Sequence, residues 1–415
     1  MQRLVRMQNF AITLLTAVSL LVGTSLAGCS KAKTADKADD GGADSLRELL
    51  AVQTEMNGSW SFYGPDGKIH CKNAITDQPT DVHNGYFTVA AQYSPETDFN
   101  YPYSVYRFGA EPQLVPGCTN LKAAGFMSDG LIPVTKKGER IAVVDGQGNV
   151  KFHLDPIGGK EIMWCGPGFG DGMLMVCDSD DRRGYVNSEG KAVITPEYDG
   201  GGPFAEERAI VMKYTADGVM VFSAIDKTGK TVFTFPDGFM PLTNVFSDGY
   251  VIAGKEVNDR ITGPLRLIDK NGKTAYTFPD GAGDTECLGG KYVTYSSGDS
   301  TYVCNLKGER QFVGLNSKIA YLGGDRFLKW RTDDGAIVDS TGKVLAQLPR
   351  YPIYGCYEGF GPVAGSIGNI TFLTGDGKPR PDATFARVGG MGVLNINTDY
   401  SPALADPNAI KDYGD

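Results

Sequence analysis

The sequence predicts an all-β repeat protein, a closed β-propeller of seven to nine blades, with an open superhelical β-solenoid as the alternative. Three observations predict it. Nine times a strand-like pair runs into a polar turn that ends in glycine, at Gly67, Gly109, Gly148, Gly190, Gly229, Gly272, Gly308, Gly342 and Gly377, at intervals of 34 to 43 residues. Between these turns a second element recurs: an aromatic or small residue, one or two polar residues, glycine, then a strand-like run, as in residues 126–134, 169–176 and 246–252. The array also starts on a hairpin without preceding strands, Trp60 to His70, and ends on inner-type strands without a following hairpin, Phe385 to Ile396. Joined, the two ends would complete one blade.

Each element has a local cause. In Ile225-Asp226-Lys227-Thr228-Gly229-Lys230 and in the copies at Gly272 and Gly342, the Asp side chain can accept from the backbone two residues on. Glycine supplies the positive φ that closes a short bulged hairpin. Alternating apolar residues on both sides mark two antiparallel strands. A period of roughly 39 residues then carries three or four short strands, the content of one blade or one solenoid coil. A ring is preferred over an open array because it leaves only short, protected strand edges.

One copy carries a family resemblance. Gly184-Tyr185-Val186-Asn187-Ser188-Glu189-Gly190-Lys191-Ala192-Val193-Ile194-Thr195-Pro196-Glu197-Tyr198-Asp199, continuing to Pro203-Phe204, resembles the bacterial WG β-repeat. Arg183-Gly184 stands where that family has Trp-Gly. The resemblance covers about residues 58 to 396, is specific near the middle, and implies a secreted or surface-attached repeat protein; the family carries no chemistry to transfer.

The N-terminus addresses location. Arg3 and Arg6 precede an apolar run from Phe10 to Val22, and Leu26-Ala27-Gly28-Cys29 follows. That order reads as a signal peptide over residues 1–28, cleaved between Gly28 and Cys29, with Cys29 diacylated as a lipoprotein cysteine. The protein is therefore expected to be exported and lipid-anchored to the cell membrane or outer membrane, facing the extracytoplasmic side. Residues 29–44, without aromatic or large aliphatic side chains, cannot bury apolar surface and read as a disordered tether; fifteen such residues reach about 20 Å. Ser45, Leu46, Leu49, Leu50 and Val52 suggest a short amphipathic helix over 45–56. The repeat body then runs over 57–398, and an acidic tail over 399–415.

Charge narrows the partners. Two of the 40 basic side chains and none of the 49 acidic ones fall in the first 28 residues, so the mature chain is formally −11. An acidic chain of this kind is not built to bind nucleic acid. Without Cys29, seven cysteines remain, Cys71, Cys118, Cys165, Cys177, Cys287, Cys304 and Cys356, an odd number that leaves at least one thiol unpaired. Cys165 with Cys177, and Cys287 with Cys304, each lie within one repeat at separations two adjacent strands could bridge and are possible disulfides; burial as small hydrophobes is the reading favoured over them. No C-x-x-C or H-x-x-x-H spacing exists, so no zinc site is expected. Asp178, Asp180 and Asp181 offer carboxylates of the type calcium takes but read better as a solvated hairpin tip.

Catalysis has little to draw on. His70, His83 and His153 are the three histidines, each in strand context, and there is no nucleophile elbow, P-loop or dinucleotide fingerprint. No cofactor is expected. Glu161 and Glu286 break the apolar pattern of first strands and carry the alternative of a glycan-active enzyme using channel carboxylates. The reading favoured is a non-catalytic binding or scaffolding module for an envelope protein, glycan or host partner.

Overall fold

The structure, a computed structural model, describes residues 49–388 except 56–57, 91–101, 258–259, 332–333, 349–352, 358–360, 367–368 and 375–376. The signal peptide, Cys29 and its cleavage site, the tether and the acidic tail lie outside the described residues. Nine small antiparallel sheets follow one another along the chain, eight of four strands and one of three. They form a nine-bladed β-propeller, at the upper end of the expected range.

In each regular blade the strands lie side by side in chain order. The first strands of blades eight and nine touch each other, as strands converging on an axis do. Second and third strands are the buried ones, for example Met173–Asp178, buried throughout, while the fourth strand of blade three, Val150–His153, is largely exposed at the rim. Nine apolar clusters fill the nine joints between successive blades. Phe327, Tyr292 and Phe312 join blades seven and eight; Tyr63, Phe372 and Phe385 join blade nine to blade one. Each blade is too thin to have a core of its own, so burial lies between blades.

The ring closes in blade one, though not as two strands from each end. The strand Arg387–Val388 takes the first position and pairs with Leu50–Gln53, which pairs with Trp60–Tyr63 and it in turn with Ile69–Ile75. The hairpin at Trp60 thus has a preceding strand, and this corrects the expected helix over 45–56 and the start of the body at 57. Leu49, Leu50, Ala51 and Val52 are each at most 2 % exposed, so both faces of this strand are covered, against blades two and nine. A strand buried on both faces reads as an unbroken apolar run, which short helices share. The continuation to residue 396 lies outside the described residues.

Two kinds of turn alternate. Between third and fourth strands stand the glycine turns of the sequence, and eight of their nine glycines have φ between +80° and +86°. Asp226 shows why the turn forms: its Oδ1 accepts from the N–H groups of Thr228 and Lys230 at 2.9 and 3.1 Å, and the strand register shifts by a bulge at Ile225. Gly109 is the exception. It has no positive φ, because blade two ends in a two-residue strand, Gln113–Leu114, and turns differently. Between first and second strands stand tight turns with two successive residues at positive φ: Asn84-Gly85, Asp129-Gly130, Asp171-Gly172, Glu206-Glu207 and Asp248-Gly249. These are the mirror-image hairpin turns that match strand twist.

Strand direction alternates, so both kinds of turn lie on one side of the ring, the turn face. The hairpins between second and third strands and the connections between blades lie on the other, the hairpin face. The strand Leu50–Gln53 begins on the turn face, and Arg387–Val388, opposite Gln53 and Val52, runs toward it.

Candidate functional site

Joint four to five differs from the others at its hairpin-face end. Blade four contributes its first strand, Ile162–Cys165, and the hairpin linking Met173–Asp178 to Arg183–Asn187; blade five contributes a first strand of two residues, Gly200–Gly201, and the end of its second strand, Ala209–Tyr214. Register places Trp164 opposite Cys177 and Cys177 opposite Arg183, so the three side chains share one face. The Arg183 guanidinium reaches across the small Cys177 to lie over the Trp164 ring, 5.4 Å from its centroid.

A network holds this arrangement. Arg183 Nη1 donates to the carbonyl of Asp199 at 3.0 Å and lies 3.1 Å from Asp181 Oδ1, and its side chain is only 11 % exposed. Arg182 Nη1 donates to Asp199 Oδ1 at 2.6 Å, and Tyr214 N donates to Asp199 Oδ2 at 2.9 Å. Lys160 Nζ lies 2.5 Å from Asp180 Oδ2 and 3.9 Å from Asp178 Oδ2. Lys213 sits over the Tyr198 ring, 4.6 Å from its centroid, and donates to Glu197 at 2.8 Å. The carbonyl of Gly202 accepts from the buried Tyr185 hydroxyl at 2.7 Å, and a side chain at Gly201 would project onto that hydroxyl and onto Arg183. The glycine strand therefore packs close on blade four and covers nothing beyond it.

Trp164 remains 37 % exposed and Tyr214 41 %, and these are the two exposed large aromatic side chains among the described residues. Only Trp164 faces this joint: on the strand Ala209–Tyr214, Ala209, Val211 and Lys213 face blade four, so the Tyr214 side chain lies on the blade-six face and only its N–H reaches Asp199. Met163, the residue beside Trp164, is 64 % exposed. The result is an open recess around Trp164 whose four cationic side chains are each matched by a carboxylate within 4 Å.

The candidates singled out from sequence fall elsewhere or at its edge. Glu161 is an exposed side chain 4.0 Å from Arg140 at the start of the Trp164 strand. Glu286 lies in the first strand of blade seven, three blades away, paired with buried Thr294. Burial, reinforced by the nearby Asp284 charge, raises its carboxyl to about 7. The two acids therefore occupy separate sites and do not make a carboxylate pair. Asp178 is buried, with Oδ1 accepting from the N–H groups of Asp180 and Arg182, so the calcium-like triplet is spent on its own turn and on two neighbouring cations, Lys160 and Arg183. His70 contacts Asp66 Oδ1 at 2.9 Å, His83 meets the Phe126 ring edge-on, and His153 is exposed on the rim; they lie in three different blades.

Neither expected cysteine pair is a disulfide, and the six cysteines with described side chains are free thiols. Cys165 pairs with Val176, so Cys177 points to the opposite face of the same sheet. Cys287 and Cys304 share a face but flank Val293 from two non-adjacent strands, about 10 Å apart and out of bonding reach. Burial pushes the Cys165, Cys177 and Cys287 thiols up to about 12, which keeps them protonated and unreactive.

Sequence reasoning reached residues 161–164 but fixed on the carboxylate rather than the tryptophan. The signal was present: an aromatic in a first strand, with glycines filling the first strand of the next repeat, and arginine in place of the repeat's usual tryptophan.

The family model described as "WG containing repeat" matches residues 184–214, from the third strand of blade four through the second strand of blade five. No curated protein matches the sequence. Among solved structures the chain is similar to BamB from Moraxella catarrhalis (12% identity, 72% of this chain and 94% of that one, TM-score 0.36). It is also similar to apo AztD from Citrobacter koseri (13%, 73% and 94%, 0.38) and to the C-terminal WD40 domain of Sif2 (11%, 79% and 95%, 0.37). The match at 184–214 supports the WG-type reading of that repeat, and the chain as a whole is a propeller.

Proposed function

We propose that this protein is a non-catalytic binding or scaffolding module, exported and held at a bacterial membrane by lipid on Cys29, that engages an envelope protein, glycan or host partner through its hairpin face. The observation that carries the reading is the placement of Trp164. A propeller buries its aromatics in the joints, and here one is left open in the middle of a rigid charge network. Rigid exposed aromatics with little rotamer entropy to lose are the side chains that anchor recognition. The local chemistry supports binding over turnover: every charge in the recess is satisfied by a fixed partner, and the thiols nearby are protonated. Proximity labelling in intact cells tests it. The wild-type chain is expected to label a reproducible partner set that Trp164→Ala loses; an identical set from the variant would refute the site. Lipidation is tested separately by palmitate-analogue labelling, expected for wild type and abolished in Cys29→Ser.

One observation favours the second reading, a glycan-active enzyme. A carboxyl raised to about 7 in the first strand of blade seven has the protonation behaviour of a general acid. Hydrolysis assays on wild type and Glu286→Gln decide between the two, since activity lost in the variant would reverse the ranking.

A further inference from the structure

We propose that the recess at joint four to five binds an uncharged saccharide chain, with Trp164 as a stacking platform. This inference rests on the binding-module reading and names its ligand class.

The first argument is charge. Lys160, Arg182, Arg183 and Lys213 face Asp178, Asp180, Asp181, Asp199 and Glu197, and each cation already lies within 4 Å of a carboxylate. An anionic or cationic ligand would have to displace one of these partners and leave the other charge unpaired, which is costly. A neutral polyol does not. Its hydroxyls donate to spare lone pairs on Asp199 and Asp180 and accept from remaining guanidinium N–H groups, forming charge-assisted bonds with groups already fixed in place.

Shape is the second argument. Arg183 covers one side of the Trp164 ring, yet the residue is 37 % exposed, leaving apolar ring surface on which a pyranose C–H face can stack. The neighbouring first strand, Gly200–Gly201, sends no side chain over it. The recess is open, not a closed cavity of the kind that buries a small molecule on most sides, and an extended polymer is the ligand that lies across an open surface. Composition points the same way. The centre of a protein–protein interface is depleted of charged residues, whereas here nine charged side chains surround one exposed tryptophan.

The test uses the full chain in a detergent without a sugar head group. Calorimetry with uncharged tetramers of N-acetylglucosamine, glucose and mannose, and with tetragalacturonate as the anionic counterpart, is expected to give saturable binding for at least one neutral tetramer and little dependence on salt. Trp164→Ala is expected to weaken it about tenfold or more, while Glu161→Gln and Tyr214→Ala leave it unchanged; unfolding midpoints establish that the variants are folded. No heat from any neutral tetramer, tighter binding of tetragalacturonate, or undiminished binding by a folded Trp164→Ala would each overturn the inference. If neutral tetramers fail while a protein partner is labelled in a Trp164-dependent way, the saccharide is overturned and the binding-module reading stands.

Discussion

The two faces of this ring obey different constraints. On the turn face, each blade's turns lean on the blade before. Gly190 and Gly272 lie so close to Phe152 and Phe233 of the preceding blade that a Cβ at either would sit 2.6 Å from the ring. Asp129 Oδ2 accepts from Gly172 N, Asp171 Oδ2 from Glu207 N and Glu206 Oε2 from Gly249 N, at 2.5 to 2.9 Å, stitching four consecutive blades. On the hairpin face, turns reach into open solvent. Gly218, at φ +78°, has nothing within 4 Å of where its Cβ would be. The repeat is therefore kept uniform where turns carry the joints and is free to vary where they do not, which is where the recess has formed.

Matched substitutions give the largest expected effect. Gly272→Ala pays for both a left-handed φ and a clash with Phe233 and should cost about 3 kcal/mol, whereas Gly218→Ala pays for φ alone, about 1 kcal/mol. Urea unfolding at constant m-value measures both; equal losses would break the distinction between the faces.

Next comes a group at mid-height of the ring, belonging to neither face. Glu286 is raised from the ordinary glutamate range to about 7, so the folded chain holds a proton that the unfolded chain has lost above about 4.5. Wild-type stability is therefore full in acid and declines as pH rises from about 4.5 through 7, by on the order of 2 kcal/mol. Glu286→Gln should flatten that slope in thermal unfolding between pH 5 and 8; parallel curves would place Glu286 in water.

Acceptors sharpen the comparison further. Asp171→Ala removes the carboxylate that receives Glu207 N–H on the turn face and should cost about 1 kcal/mol. Asp180→Ala breaks an exposed pair with Lys160 on the hairpin face and should cost less than about 0.5 kcal/mol.

The smallest effect on stability is expected at the recess itself. Trp164→Ala should shift the unfolding free energy by about 1 kcal/mol or less, while partner labelling falls. A loss as large as that of Gly272→Ala would make Trp164 a structural residue.

Much of this division was legible in sequence. The Asp-x-x-Gly turns and the Asp-Gly pairs announce their backbone conformations through residue chemistry alone, and the incomplete ends announced the closing blade. Residues 49–52 escaped because double-sided burial erases periodicity. The cysteine pairs failed because a one-residue change in register moves a thiol to the other face, and sequence spacing does not contain register. Gly109 shows that a turn residue in the right place does not guarantee the turn when its outer strand is cut to two residues. The recess was hidden for a different reason: it is made by an absence, the side chain that Gly201 does not have, and becomes visible only when blade five is set against blade four.

The closing blade has a practical consequence. Leu49, the first described residue, stands on the turn face of blade one, where the strand Leu50–Gln53 begins. A bead, sensor surface or fusion partner joined ahead of it approaches the ring from its underside, with Trp164 on the opposite face. Immobilisation through an N-terminal tag leaves the recess accessible, whereas random coupling through lysines would consume Lys160 and Lys213 at its edge.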